Sequence, residues 1–81
     1  MAQFSQIVLD YLRHYQPRKY NELRQQRQLR PVMETLVDAL YEETARAFAH
    51  LEEAHPDQSE DLLMFFAEEQ AVEAVLPHPH A

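Results

Sequence analysis

The sequence predicts an all-α domain, a small bundle of four helices of which one is short. The chain contains no glycine, although tight hairpin turns with positive φ depend on that residue. Leu, Ala, Glu, Gln and Arg dominate the composition, and all of them favour helices. Apolar residues recur at intervals of three and four along most of the chain. The lack of glycine also excludes the glycine-rich loops that bind phosphate groups and dinucleotides.

The length of 81 residues fits one domain, which we expect to span residues 1–76. Residues 77–81 contain two prolines, cannot continue a helix and are expected to form a flexible C-terminal tail. A chain of this size buries only about 60–65% of its unfolded surface, and without cysteine it forms no disulfide. Small domains often compensate by oligomerising, and we therefore expect a homodimer.

The first two predicted helices are separated by a proline. The first helix should end near Gln16, because a residue that precedes proline is pushed out of the α region. Pro17 then suits the first turn of a second, short helix, in which Tyr20 and Leu23 form a narrow inward edge. The apolar stripe of the first helix consists of Phe4, Ile7, Val8, Tyr11, Leu12 and Tyr15.

The third and fourth predicted helices form the second half of the chain. The third should run from Pro31 to Ala54, a length of about 36 Å at 1.5 Å per residue. Asp57 is the expected N-cap of the fourth helix, since Glu60 three residues later completes a capping-box pattern. Residues 62–67 of that helix are apolar around most of its circumference, which is wider than one core-facing stripe requires.

Charge is distributed unevenly along the sequence. Residues 1–30 carry six basic and two acidic residues, formally +4, whereas residues 31–81 carry one basic and twelve acidic residues, formally −11. We define the basic cluster as Arg18, Lys19, Arg24, Arg27 and Arg30. It could track a nucleic-acid backbone, or it could pair with the acidic helices of the same or a neighbouring subunit. The net charge of −7 repels phosphate, so we favour pairing and keep nucleic-acid binding as an alternative.

The acidic surface of the last two helices allows two interpretations. Its acidic cluster, defined as Glu68, Glu69 and Glu73, could imitate a phosphate backbone and block the basic groove of a nucleic-acid-binding enzyme. It could equally be a solvated helix face that keeps the protein soluble, and we favour this second interpretation.

Enzymatic and metal-binding functions find little support in the sequence. The chain has no cysteine and only two serines, Ser5 and Ser59, so no catalytic triad is arguable. The Glu52-x-x-His55 spacing occurs in di-iron bundles, which need two such motifs and further carboxylates. We expect no enzyme activity, no cofactor and no metal site. The longest apolar run has six residues, against the roughly 20 of a membrane span, and the N-terminus does not resemble a signal peptide. We therefore expect a cytoplasmic protein that makes no membrane contact.

The strongest indication of a partner is the apolar patch, defined as Leu62, Met64, Phe65 and Phe66. A small bundle needs only one stripe from its last helix, so we expect part of this patch to point outward and be covered by a second chain. The sequence thus predicts a non-enzymatic protein that acts through protein–protein interaction or as an accessory regulator.

A further pattern involves aromatic, leucine and proline positions, followed by a long amphipathic helix and a late acidic helix. The positions are Tyr11-Leu12, Pro17, Tyr20, Leu23, Leu29 and the closing Val75-Leu76-Pro77. Over residues 11–40 this pattern resembles that of the small transposon-encoded TnpV proteins. The chain departs from it at Arg27, where the pattern has a glycine. The resemblance implies a prokaryotic or mobile-element context and carries no catalytic residue.

Overall fold

The computed structural model describes residues 3–77, which form four helices with no strand among them. The all-α class predicted from composition and periodicity is therefore confirmed. Residues 78–81 of the predicted tail lie outside the described residues. The helices are α1 (Phe4–Tyr15), α2 (Pro17–Gln25), α3 (Leu29–Ala54) and α4 (Glu60–Val75).

The long helix α3 organises the other three. It forms an antiparallel hairpin with α4 over its C-terminal half, while α1 and α2 pack towards its N-terminal half. No Cα atom of α2 comes within 8 Å of one in α4 over the described range. The 26 residues of α3 extend about 39 Å, which accounts for the longest of the molecular dimensions, 48 × 28 × 16 Å.

The core lies where α1 crosses the α3–α4 hairpin. Leu12, Leu40, Leu76 and Val8 are its largest fully buried side chains. Thr44 is buried with them, and its hydroxyl donates a hydrogen bond of 2.7 Å to the Leu40 carbonyl, so the core position carries no unsatisfied polar group.

The boundaries of α1 and α2 agree with the proline-based prediction, but α3 begins two residues earlier than predicted. Pro31 is the third residue of the helix rather than its first. Its missing N–H costs nothing there, because the first N–H groups of a helix have no intrahelical acceptor. Leu29 becomes part of the extra half-turn and packs against the core, which supplies a reason for the helix to start before the proline.

The turn between α2 and α3 adopts a backbone conformation that normally favours glycine. Arg27 has a φ of +58°, in the left-handed region. The Gln28 N–H donates to the Leu23 carbonyl at 2.8 Å, and the Arg27 N–H donates to the Arg24 carbonyl at 3.2 Å. These two bonds form a Schellman motif. Arg27 is also the position at which the chain departs from the TnpV pattern.

The predicted N-cap of α4 was wrong. Ser59, not Asp57, caps the helix, and its hydroxyl accepts a hydrogen bond of 3.2 Å from the Leu62 N–H. Ser59 has the extended backbone of an N-cap residue, whereas Asp57 lies within the preceding turn. The capping box with Glu60 does not form, because Glu60 is the first residue of the helix.

Candidate interaction surfaces

The apolar patch lies on the first two turns of α4 and is exposed. Leu62, Met64, Phe65 and Phe66 are 40, 39, 55 and 42% exposed, respectively. The rings of Phe65 and Phe66 lie 5.8 Å apart in an edge-to-face arrangement. Leu62, Phe65 and Phe66 lie within about 100° of one another around the helix and form an exposed apolar surface of the kind found at interaction sites. Met64 lies about 160° from Phe66 around the helix.

One side of α4 carries both apolar and acidic residues. Leu62, Phe66, Glu69 and Glu73 follow one another at i, i+4, i+7 and i+11, so they share a helix face. The buried residues of α4 at positions 63, 67 and 71 form a different face, which packs on α3. The exposed face therefore changes from apolar to acidic along its length.

The acidic cluster predicted from the sequence divides between two sides of this helix. Glu69 and Glu73 are exposed, whereas Glu68 is half-buried and lies about 100° away from Glu69 around the helix. We define the acidic pair as Glu69 and Glu73. Neither makes an ion pair with a described residue.

The basic cluster is exposed but is spread over two locations. Arg18 and Lys19 lie in the first turn of α2, about 9 Å along the helix axis from Arg24 near its end. Arg24, Arg27 and Arg30 lie around the turn between α2 and α3, and we define these three as the basic corner. The Arg24 guanidinium lies 5.7 Å from the centre of the Tyr20 ring, a distance at which the cation is attracted to the ring.

The cations of α2 are not neutralised by the acidic helices of their own chain. Within residues 3–77 the ion pairs are Arg30–Glu34, at 3.3 Å, and Arg46–Glu43. Both join residues three or four positions apart on α3. Of the basic cluster, Arg30 therefore pairs with Glu34 of α3, whereas Arg18, Lys19, Arg24 and Arg27 form no ion pair in the described residues.

A groove lined mainly by apolar surface lies beside α3, and no pattern in the sequence predicts it. We call it the α3 groove; it has a volume of about 450 Å³ and lies beside the N-terminal half of α3, with Ser5 of α1 on its wall. Leu29, Met33 and Val37 form its floor, and Arg30, Glu34 and Asp38 form its rim. Leu29, Met33 and Val37 are half-buried and pack against the core, and their four-residue spacing does not show that a groove lies beside them.

No family model matches the chain, and it has no match among curated proteins or solved structures.

The described residues contain no cluster of three or more His, Asp or Glu side chains arranged to hold a metal ion. Glu52 is exposed near the end of α3, and His55 is exposed immediately after it. His78 and His80 lie outside the described residues. None of the helices in the described part of the chain is both long enough and apolar enough to cross a membrane.

Proposed function

We propose that this protein is a non-enzymatic, cytoplasmic protein that works by protein–protein interaction or as an accessory regulator, and that its first partner is a second copy of itself. The resemblance to TnpV proteins over residues 11–40 adds a mobile-element context to the proposal. The observation that carries it is the exposure of the whole apolar patch on α4.

Energetics support the need for a partner at this patch. Covering a large apolar side chain contributes about 1.5–3 kcal/mol when it is fully removed from water. The four side chains of the patch are 39–55% exposed, so roughly half of that favourable term remains unrealised in the isolated chain. The fold also gains from association because a domain of 81 residues has a small core of its own.

The direct test is the mass of the protein in solution, measured by sedimentation velocity and by size-exclusion chromatography with light scattering. We expect a species of twice the 9.6 kDa chain mass. A Phe65→Glu variant places a charge within the patch and should be monomeric, because the carboxylate would have to be desolvated in the interface. Its helical circular dichroism should remain.

Gln70→Glu is the matched control, since it adds the same charge to an exposed position of the same helix outside the patch. It should leave the dimer intact. A folded Phe65→Glu variant that remains dimeric would exclude the patch as the interface, and a monomeric wild type at cellular concentration would exclude self-association.

A second candidate, nucleic-acid binding, is favoured by the cations of α2 that have no ion-pair partner within residues 3–77. It predicts an affinity that falls steeply with salt as condensed counterions are released. Fluorescence anisotropy with a labelled duplex and a labelled single strand tests it. Binding that is lost in an Arg24→Glu/Arg27→Glu variant supports this candidate, whereas binding unaffected by that variant, or no binding at low salt, argues against it.

A further inference from the structure

We propose that the occupant of the α3 groove is α4 of the second copy, with Leu62 and Phe66 of its apolar patch over the groove floor and its acidic pair against the basic corner. The inference rests on the proposed self-association and deepens it by specifying which surfaces meet. It makes the contact reciprocal, because each copy carries both a groove and a patch.

The receiving surface combines an apolar floor with positive charge at one end. Leu29, Met33 and Val37 follow one another at four-residue intervals and are half-buried. Arg30 lies on the rim of the groove, and the rest of the basic corner precedes it in the adjoining turn. Glu34 on the rim pairs with Arg30, which leaves Arg24 and Arg27 as the cations of the basic corner without an ion pair in the described residues. Asp38 lies about 12 Å along the helix axis from Arg30.

The inserted surface has the complementary order of apolar and charged residues. The midpoint between Leu62 and Phe66 and the centre of the acidic pair lie about seven residues apart on α4, or about 10 Å. Met33, the centre of the groove floor, lies three residues from Arg30, or about 5 Å along the helix axis, and the rest of the basic corner lies further from the floor in the preceding turn. An α4 that runs antiparallel to the partner's α3 therefore brings apolar to apolar and acidic to basic in a single register.

A second copy fits this surface better than the same chain does. No Cα atom of α2 lies within 8 Å of one in α4 in the described residues. The apolar patch lies in the first turns of α4, which adjoin the C-terminal end of α3, whereas α2 adjoins the N-terminal end of α3. Within residues 3–77 the acidic pair and the cations of α2 form no ion pair with each other, and they can meet when two molecules lie antiparallel. Such an arrangement also separates like charges, which a side-by-side parallel pairing of two α4 helices would bring together.

The test is a charge exchange between two variants of the full chain. Arg24→Glu/Arg27→Asp reverses charge in the basic corner, with Asp chosen because it tolerates positive φ better than Glu does. Glu69→Lys/Glu73→Lys reverses the acidic pair. Each variant alone should have a dimer dissociation constant at least about tenfold higher than the wild type, because like charges meet in both of its contacts.

An equimolar mixture of the two variants should form a heterodimer with near wild-type affinity. In that pair one contact joins the two reversed surfaces, and the other joins the two native surfaces. Arg13→Glu, an exposed position of α1 away from the groove, is the charge control and should change the affinity by less than about twofold. Sedimentation velocity measures all five affinities, that of the wild type included, with one variant fluorescently labelled in the mixture.

Disulfide trapping tests the apolar contact independently of charge, because the chain has no cysteine of its own. A mixture of Met33→Cys and Phe66→Cys chains should give a cross-linked heterodimer, and neither variant alone should cross-link efficiently. Efficient cross-linking of Phe66→Cys to itself would overturn the inference in favour of direct pairing between two α4 helices.

The results distinguish a failure of this inference from a failure of the proposed self-association on which it rests. A monomeric wild type overturns both. If the wild type is a dimer that Phe65→Glu disrupts, but the charge-reversed variants dimerise normally or their mixture fails to restore affinity, only the inference is overturned.

Discussion

The hydroxyl of Tyr11 donates a hydrogen bond of 2.7 Å to the carbonyl of Pro77, and so joins residues 66 positions apart. The same hydroxyl accepts a hydrogen bond of 3.2 Å from the Gln16 side-chain amide. Tyr11 itself is buried in the core beside Leu76. The bond therefore joins the residues that follow α4 to α1. In the described residues no Cα atom of α1 lies within 8 Å of one in α4, so the backbones of these two helices do not themselves make this connection.

Tyr11→Phe should lower the free energy of unfolding by about 1–2 kcal/mol, because it removes both hydrogen bonds of the hydroxyl, to the Pro77 carbonyl and from the Gln16 side chain. Urea denaturation followed by circular dichroism at 222 nm measures the change, at one fixed protein concentration because association also contributes to stability. Tyr41→Phe is the control. Its ring packs edge-to-face on Phe4 at 4.9 Å, but the residue is exposed and its hydroxyl should contribute less than about 0.5 kcal/mol. Equal stability of the Tyr11→Phe variant and the wild type would mean that the bond to Pro77 is not maintained in solution.

Ser59→Ala should lower the free energy of unfolding by about 0.5–2 kcal/mol, since the Leu62 N–H loses its acceptor at the start of α4. Asp57→Ala should change it by less than about 0.5 kcal/mol, because Asp57 lies in the turn and does not cap the helix. The same urea experiment compares the two variants. A larger loss for Asp57→Ala than for Ser59→Ala would restore the boundary that the capping-box pattern predicts.

These two residues show what the sequence could and could not predict. Apolar periodicity and the prolines gave the number and order of the helices, because both act over short distances along the chain. They could not decide between Asp57 and Ser59, since either side chain can accept from a helix N–H and the choice depends on the turn that follows α3.

Some features of the interaction surfaces likewise depend on the local sequence, whereas others depend on the packing of residues that are distant in the sequence. The excess of apolar residues at 62–66 was visible in the sequence, because it exceeds what one buried stripe needs. The α3 groove was not, because Leu29, Met33 and Val37 have the spacing of a core stripe whether or not a helix covers them. That the cations of α2 form no ion pair with α4 in the described residues depends on the packing of all four helices, which no local pattern reports.

Leu40→Ala should be among the most destabilising single substitutions, at about 2–5 kcal/mol, because the side chain is 0% exposed and its removal leaves a cavity between α1 and the hairpin. Leu40→Met preserves most of the volume and should cost less than about 1.5 kcal/mol. Thermal and urea unfolding of the two variants gives the comparison. If Leu40→Ala cost no more than Leu40→Met, the packing of α1 on the hairpin would be looser than the structure indicates.

Arg27→Gly should raise the free energy of unfolding by about 0.5–1 kcal/mol and weaken self-association at the same time. The stability gain arises because Arg27 has a φ of +58° within a Schellman motif, a conformation that is disfavoured for a residue with a Cβ atom and is not disfavoured for glycine. The loss of association arises because the same residue supplies one cation of the basic corner.

Arg27→Ala separates the two effects, since it removes the cation but retains the Cβ atom, and should weaken association without the gain in stability. Urea unfolding of both variants in the Phe65→Glu background, which should be monomeric, measures the effect of the turn conformation on stability without a contribution from dimerisation. If the glycine variant is no more stable than the alanine variant in that background, the turn relaxes out of the left-handed region in solution. If the glycine variant instead gains stability and loses affinity for itself, as expected, then Arg27 favours the interface at the expense of the stability of the isolated chain.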